Sequence, residues 1–443
     1  NASDWGGHHH LDSLDLYYWQ QGQELLSDLG YLWDHPMKSM TTRTFAHNTV
    51  MIDGQEQRTT GRGGKFTLFA PGRPVKVMEA ESAAYPQATL YRRTVAQVEC
   101  APGRQYVLDI FRVQGGQRHE YVFHGPNNQP TWEQRPPAGG DTAAATPVRA
   151  CVRLWTSDDK GDFTVDDVSL LGPEGQELFP NPAVTQRDEQ GRPVGFGHYS
   201  GDGRATLAVD EGRGEGQGAR LQVTAPGKER TNQALLLGDS DGYSGGRAFL
   251  LTPGQRYRVT FWVKGNGTAV QGNVLYWNGD PPDAAHRAYT ELRGTGSFLA
   301  GPQWQKITAE FTLPGGLDLE NLQASAASGR WQVSWKVGDK QTFQALWENE
   351  PGSTTLVGEG WGQRDYRNSD VGAKLPYIVR RQAAGETPTV YVSVFEGYAA
   401  GQALVKGVRR LAVPAAESTN TVAVAVETTM GTDYFVSCLE ARP

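Results

Sequence analysis

Between Phe66 and Phe123 the chain repeats one pattern, in which short apolar runs alternate with polar positions and end at turn formers. Phe66-Thr67-Leu68-Phe69, Val75-Lys76-Val77-Met78, Thr89 to Val95 and Tyr106 to Val113 are separated by Pro-Gly and Gly-Gly pairs. Runs rich in β-branched and aromatic residues, bounded in this way, predict successive antiparallel strands of a sandwich. The pattern resumes at Arg330-Trp331-Gln332-Val333-Ser334-Trp335-Lys336-Val337, continues through Thr342 to Trp347, and closes in Val422 to Val426 and Tyr434 to Ser437. No stretch carries a convincing helical period. The prediction is therefore all-β, with one sandwich that is interrupted and then completed.

The interruption begins where composition shifts. After Asn127, an Asn-Asn-Gln-Pro segment, Pro136-Pro137-Ala138-Gly139-Gly140 and an Ala/Thr run read as a linker. Beyond it, Asp162 to Leu170 followed by Leu178-Phe179-Pro180-Asn181-Pro182, Leu251 to Gly265 and Trp304 to Thr312 resemble strands of jelly-roll carbohydrate-binding modules. In such modules the aspartate-bearing strand comes last; here it comes first, which implies a circularly permuted insert. The expected division is thus 1–128 as the first part of the sandwich, 129–329 as an inserted jelly-roll module and 330–443 as the completing part. Tyr276, Trp277 and Tyr243 are candidates for stacking on sugar rings, with core packing as the competing reading. Asp166 and Asp167 are a candidate pair for a structural Ca²⁺ in the insert, a weak signal from two adjacent acids.

Composition agrees with a strand-and-turn architecture: 54 Gly and 25 Pro in 443 residues leave little room for long helices. With 42 basic and 49 acidic residues, the net charge is −7 and no basic tail or long charge run appears, which argues against a nucleic-acid partner. No apolar run reaches the length of a membrane helix, and no signal-peptide pattern opens the chain. Three cysteines, Cys100, Cys151 and Cys438, form at most one bridge and define no disulfide framework.

Chemistry concentrates in Gly6 to Asp53, which holds His8, His9, His10, His35 and His47, five of the nine histidines, with Asp12, Asp15 and Asp28. On an extended strand, His8 and His10 point to one face and His9 to the other. A second strand ending at Asp28 and a third beginning near His47, closed by the Asp53-Gly54 turn signal, would bring His10, Asp28 and His47 together as a zinc site with an open fourth position. Two other readings stay open at this point. The histidine triplet could be a residual tag, and the histidines could be structural and hydrogen-bonded, because their spacing matches no compact zinc signature.

His-x-His-x-Asp at His8, His10 and Asp12, then Asp28-x-Gly30, then Arg43-x-x-Ala46-His47-Asn48-Thr49-Val50 before Asp53-Gly54, resemble in order the C-terminal β-sandwich of heparinase II/III-like polysaccharide lyases. Asp109 to Val113, Gly115 to Gly125, Lys374 to Tyr377 and Tyr391 to Glu396 resemble later segments of the same sandwich, so that the resemblance covers roughly 1 to 128 and 330 to 443. It implies an antiparallel β-sandwich that normally follows an α/α-toroid carrying a catalytic tyrosine and an Asn-His pair, features not found in this sequence. The chain is therefore expected to be the C-terminal portion of such a lyase, with that toroid half as its partner. The implied reaction is β-elimination on an acidic, uronic-acid polysaccharide, alginate-like or glycosaminoglycan-like, in a bacterial secreted or periplasmic setting. His8 is the expected carboxylate neutraliser or proton acceptor, Tyr31 an assisting acid or base, and Arg43 a substrate-carboxylate ligand. A non-catalytic sugar-binding sandwich is the alternative from another class.

Overall fold

The computed structural model of the chain describes residues 9–33, 35, 37–132, 147–157, 161–214, 216–223, 232–238, 247–277, 287–294, 296–313, 317, 319–414, 417 and 419–439. It divides into two compact units, Asn1–Ala144 with Gly316–Pro443, and Ala145–Gly315. Both are built of antiparallel strands, and the named helical elements are only the single turns Ser39–Thr42 and Thr44–Ala46.

The larger unit is organised on an eight-stranded sheet. In spatial order its strands are Gly64–Ala70, Val75–Ser82, Leu90–Ala101, Arg104–Gln114, Thr389–Ala399, Gln341–Asn349, Gly329–Val337 and Pro130–Trp132. A five-stranded sheet, Glu320–Ser325, Thr354–Trp361, Lys374–Ala383, Arg118–His124 and Val50–Ile52, shares a core with it. Tyr121, Phe123 and Ile378 of the smaller sheet pack there with Phe111, Trp347 and Phe395 of the larger. Phe123 meets Trp347 edge-on at 5.6 Å between ring centroids, the arrangement that aromatic quadrupoles favour. A second core joins the large sheet to a three-stranded sheet of Val405–Leu411, Thr421–Thr428 and Gly431–Cys438, through Leu108, Ile110, Val392 and Val394 against Val408, Val422, Val424 and Val426.

This three-layer arrangement explains a sequence feature. Strand Thr389–Ala399 is buried at nine consecutive positions, so alternation between apolar and polar residues disappears where both faces are covered. Packing is close enough to constrain backbone type: a Cβ on Gly125 would sit 2.3 Å from Trp335 Cε2, inside contact distance.

The smaller unit, Ala145–Gly315, is a sandwich of its own. A seven-stranded sheet containing Val148–Thr156 and Thr268–Trp277 and a five-stranded sheet containing Asp162–Leu171 and Arg256–Gly265 close over one core. Val152, Leu154 and Leu235 from the first meet Phe163, Val165 and Phe261 from the second.

Two expectations are corrected at this level. The insert boundaries shift inward from 129 and 329, because Pro130–Trp132 pairs with Gly329–Val337, and Glu320–Ser325 with Thr354–Trp361, inside the larger unit. Both are edge strands, where short, Pro- or Asn-containing segments read as linker in the sequence. Tyr276 and Trp277 are 3% and 0% exposed and belong to core clusters, so neither offers a face to sugar; Tyr243 lies outside the described residues. The Asp166 oxygens accept the amides of Asp167 and Arg213 at 2.8 and 2.7 Å, and Asp167 pairs with the Arg213 guanidinium at 3.0 Å. Both aspartates are thus engaged with Arg213 and its neighbours rather than standing as a free pair.

One buried ion pair ties the N-terminal segment to the large sheet. Arg93 donates to both oxygens of Asp109 at 2.7 and 2.8 Å, to the carbonyls of Leu14 and Asn48 at 2.7 and 2.6 Å, and to the Tyr121 hydroxyl at 3.0 Å. Burial opposes its charge, yet the Asp109 carboxylate beside it holds the guanidinium above its ordinary pKa. Removing one partner of such a pair leaves an uncompensated buried charge. Asp109→Ala is therefore expected to cost about 3–5 kcal/mol of unfolding free energy, read from the urea midpoint. A loss below about 1 kcal/mol, the range of an exposed pair, would show that Arg93 finds water instead.

Cutting out 145–315 with a short Gly/Ser bridge is expected to leave a protein that unfolds cooperatively, with a smaller denaturant dependence in proportion to the lost surface. Cutting out 129–329 removes two paired edge strands as well, and is expected to lower the midpoint further.

Candidate metal centre

The residues that matter chemically lie on the loops flanking two short elements, the Tyr18–Gln20 and Gln23–Leu26 hairpin and the turn Thr44–Ala46. His47 stands at the end of that turn. Its backbone N–H reaches Thr44 O at 3.1 Å, and its ring Nδ1 lies 2.8 Å from Arg43 O. A carbonyl can only accept, so Nδ1 carries the proton and Nε2 keeps a lone pair directed away from the turn.

The turn is shaped by Glu56. Its buried carboxylate takes the Arg43 Nε donor at 3.1 Å and the Thr44 amide at 2.5 Å. Arg43 is 4% exposed, and its guanidinium lies 5.3 Å from the Phe45 ring. The expected role of Arg43 as a substrate ligand is corrected accordingly: the side chain is spent on Glu56, and its carbonyl orients His47.

Asn48, the next residue, is fully buried and saturates its amide. Nδ2 donates to Leu16 O at 3.0 Å and Ser27 O at 2.9 Å, Oδ1 accepts the His124 amide at 3.0 Å, and the backbone N–H donates to Asp15 Oδ1 at 2.7 Å. The segments carrying His10, Asp28 and His47 are thereby held together by one side chain. His124 reinforces the same junction: Nε2 donates to Ala46 O at 3.0 Å, and Nδ1 accepts from Ser27 Oγ at 2.9 Å. Burial pushes the His124 pKa down to about 4, so the ring is neutral at physiological pH.

His10 Nδ1 then lies 3.2 Å from His47 Nε2, and His47 Nε2 lies 3.9 Å from Asp28 Oδ2. The three ligand atoms fall within 4.8 Å of one another. Asp28 Oδ1 accepts the Gly30 amide at 2.6 Å in a tight turn, which turns Oδ2 toward the histidines. Gly30 needs its φ of +72°, a region glycine enters without strain. His10 is fixed through its backbone, whose carbonyl accepts Arg62 Nη1 at 2.6 Å while Leu11 N–H donates to Thr42 O at 2.8 Å. Burial, and next the neighbouring His47, lowers the His10 pKa and favours neutral imidazole, the form that binds metal.

These donors fit a zinc ion. Ligand nitrogens about 2.0–2.1 Å from a tetrahedral metal lie roughly 3.3–3.4 Å apart, close to the observed His10 to His47 separation. Two imidazoles and a carboxylate are the donor types zinc takes when one position stays open.

The structure thus brings His10, Asp28 and His47 together, though none of the three lies on a strand as the spacing suggested. Tyr31 is half-buried beside them, its ring stacked on His10 at 6.1 Å and 25°. His8 lies outside the described residues. His119 is occupied elsewhere, by Thr389 and Gly115 O. Sequence reading missed Glu56, Asn48 and Arg62 as positioning residues; of these Asn48 had a signal, its place beside His47 in the Ala-His-Asn-Thr run.

Comparison with known proteins places this geometry in context. Residues 1–174 match the model of the heparinase II/III-like C-terminal family, a span that crosses the unit boundary at 144. Among solved structures, the heparan sulfate lyase HepC from Pedobacter heparinus aligns over 100% of this chain and 39% of its own, at 9% identity and a TM-score of 0.43. A heparinase III, the BT4657 gene product, aligns over 97% of this chain and 37% of its own, at 10% identity and a TM-score of 0.39. The chain spans about two fifths of the length of these structures. No curated protein matches it.

The depressed pKa of His124 has a measurable consequence. Between its folded value near 4 and the unfolded value near 6.5, the unfolded chain binds the extra proton, so stability is complete above that window and falls as pH drops through it. The slope attributable to this group approaches ~1.4 kcal/mol per pH unit, one proton's worth. His124→Gln is expected to reduce the wild-type dependence by that amount in urea titrations between pH 6.5 and 4.5. An unchanged slope would place the titrating group elsewhere.

Proposed function

From the premise that residues 1–174 carry a heparinase II/III-like C-terminal segment, we propose that this chain is the sandwich portion of a polysaccharide lyase that cleaves uronic-acid-containing chains by β-elimination, working with an α/α-toroid half. The observation that carries this reading is the convergence of His10, Asp28 and His47 on one point within that segment. A stand-alone sugar-binding role does not account for three buried or half-buried metal donors held in register by Asn48, Glu56 and Arg62.

In the proposed reaction a base takes the C5 proton, the C–H electron pair becomes the C4–C5 double bond, and the C4–O bond breaks with its oxygen leaving protonated. The carbon acid is weak because it sits beside a carboxylate, so neutralising that carboxylate is the largest electrostatic demand. His8, two residues before His10, is the group proposed to donate to the carboxylate or accept the proton, since its ordinary pKa suits either task. Tyr31 stacks on His10 and is proposed to assist proton transfer to the leaving oxygen. The residues that would hold zinc are His10, Asp28 and His47, and the ion would supply a fixed positive charge that ties together the three segments carrying them. The same reading places the protein outside the bacterial cytoplasm, where large polysaccharides are met.

Two measurements follow. Purified without chelator, the protein is expected to hold about one equivalent of zinc, falling below about half in His47→Ala, with a lowered melting temperature. Zinc content unchanged by that substitution would remove the site assignment.

Combined with its toroid half, the protein is expected to release products that absorb in the near ultraviolet through a new C4–C5 double bond. His8→Ala should then lose most activity while keeping its zinc and its melting temperature. Saturated reducing products would mean hydrolysis and overturn the lyase reading.

A further inference from the structure

A line of aromatic rings leads from the metal centre to the surface. Tyr31 stacks on His10, Trp33 meets Tyr31 at 6.3 Å, Tyr366 meets Trp33 at 6.2 Å, and the Arg367 guanidinium lies 5.1 Å from the Tyr366 ring. The spacing is nearly even. Tyr31 is half-buried, whereas the two outer rings are exposed, Trp33 at 62% and Tyr366 at 42%.

Exposing a tryptophan to this extent is not explained by folding, and its backbone deepens the point. Trp33 adopts φ +49°, a left-handed conformation that a bulky residue occupies only when its surroundings impose it. Those surroundings are built. His35 bridges its loop to the 362–373 loop, accepting the Met37 amide on Nδ1 at 3.0 Å and donating from Nε2 to Asn368 Oδ1 at 2.9 Å. Asn368 Oδ1 also accepts from Gln363 at 3.0 Å, and Arg364 pairs with Glu24 of the hairpin at 2.7 Å. These bonds tie together the two loops that carry the rings, which reduces the loop-ordering cost of binding.

Charge along the line selects the occupant. The local acids are already engaged: Asp365 accepts the Arg367 amide at 3.0 Å and Asp370 the Arg364 amide at 2.8 Å. Arg367 donates Nε to the Tyr366 hydroxyl at 2.8 Å and forms no ion pair among the described residues. Exposed rings set at 60° and 52° to their neighbours, with an exposed guanidinium at the end of the line, suit a chain of sugar rings, whose C–H faces pack on aromatics, bearing carboxylates or sulfates for the arginine.

The geometry points to a glycan-binding track formed by Tyr31, Trp33, Tyr366 and Arg367, which takes successive units of an acidic polysaccharide and delivers the chain to the metal centre. This rests on the proposed polysaccharide substrate and goes beyond it by assigning where the chain outside the reacting unit lies.

The test is affinity electrophoresis of the whole chain in native gels cast with alginate, heparan sulfate or the neutral hydroxyethylcellulose. Wild-type protein is expected to be retarded by at least one of the acidic polymers and not by the neutral one. Trp33→Ala and Tyr366→Ala should each raise the apparent dissociation constant by up to about tenfold, as expected for loss of an aromatic contact. Trp33→Phe should retain most binding, and Arg367→Gln should weaken it most at low ionic strength, the difference from wild type shrinking as salt rises. All three substituted side chains are exposed, and an unchanged melting temperature confirms that each variant folds. Retardation by an acidic polymer that is equal in wild type and Trp33→Ala/Tyr366→Ala would overturn the track while leaving the lyase proposal standing. Equal retardation by the neutral polymer would overturn the acidic assignment. Absence of retardation by every polymer would overturn the track, with elimination activity beside the toroid half still judging the lyase proposal separately.

Discussion

The bidentate pair between Arg93 and Asp109 is the constraint on which the rest of the larger unit depends. It sits in the core face of the central sheet, where a charge persists only when its geometry and hydrogen bonds are complete. Arg93 completes them by reaching out of the sheet to Leu14 O and Asn48 O, and so the cost of burying the guanidinium is offset by fixing the N-terminal segment. A planar five-donor fork can do this in one step; a lysine could not.

From that anchor the site follows by a chain of local constraints. Asn48 is held by Arg93 through its carbonyl, and through its side chain it holds Leu16, Ser27 and the His124 strand end. Glu56 shapes the turn that aims His47, and Arg62 fixes His10 by its carbonyl. His10, Asp28 and His47 are therefore loop residues supported by rigid sheet, the usual division of labour in which irregular segments carry chemistry and regular ones carry position. His10 Nδ1 and His47 Nε2 stand 3.2 Å apart, within hydrogen-bond distance of one another and close to the separation of two nitrogens on one tetrahedral ion.

The all-β class, the interruption of one sandwich by another, and the grouping of His10, Asp28 and His47 were all legible in the residues. Their route to one point was not. The spacing suggested three adjacent strands, whereas His10 and Asp28 lie on loops and His47 closes a 3-10 turn. What sets that turn is the Arg43 to Glu56 contact thirteen residues apart, and a charged residue whose partner is set by folding reads in sequence as a free surface group. The same ambiguity made Tyr276 and Trp277 look available for sugar, because aromatic residues that fill cores and those that meet ligands are identical in composition. Trp33 and Tyr366 could not be paired before folding, being 333 residues apart on separate loops. Strand Thr389–Ala399 hid its face for a different reason, burial at nine consecutive positions on both sides.

The central claim is that the fold places His10, Asp28 and His47 to hold one metal ion. The most direct measurement is anomalous diffraction at the zinc absorption edge from crystals grown without chelator. The expected result is a single strong peak in the larger unit, with His10 Nδ1, His47 Nε2 and an Asp28 oxygen each about 2.0–2.2 Å from it. A map with no peak between those side chains, or with His10 hydrogen-bonded directly to His47 and no density between them, would contradict it.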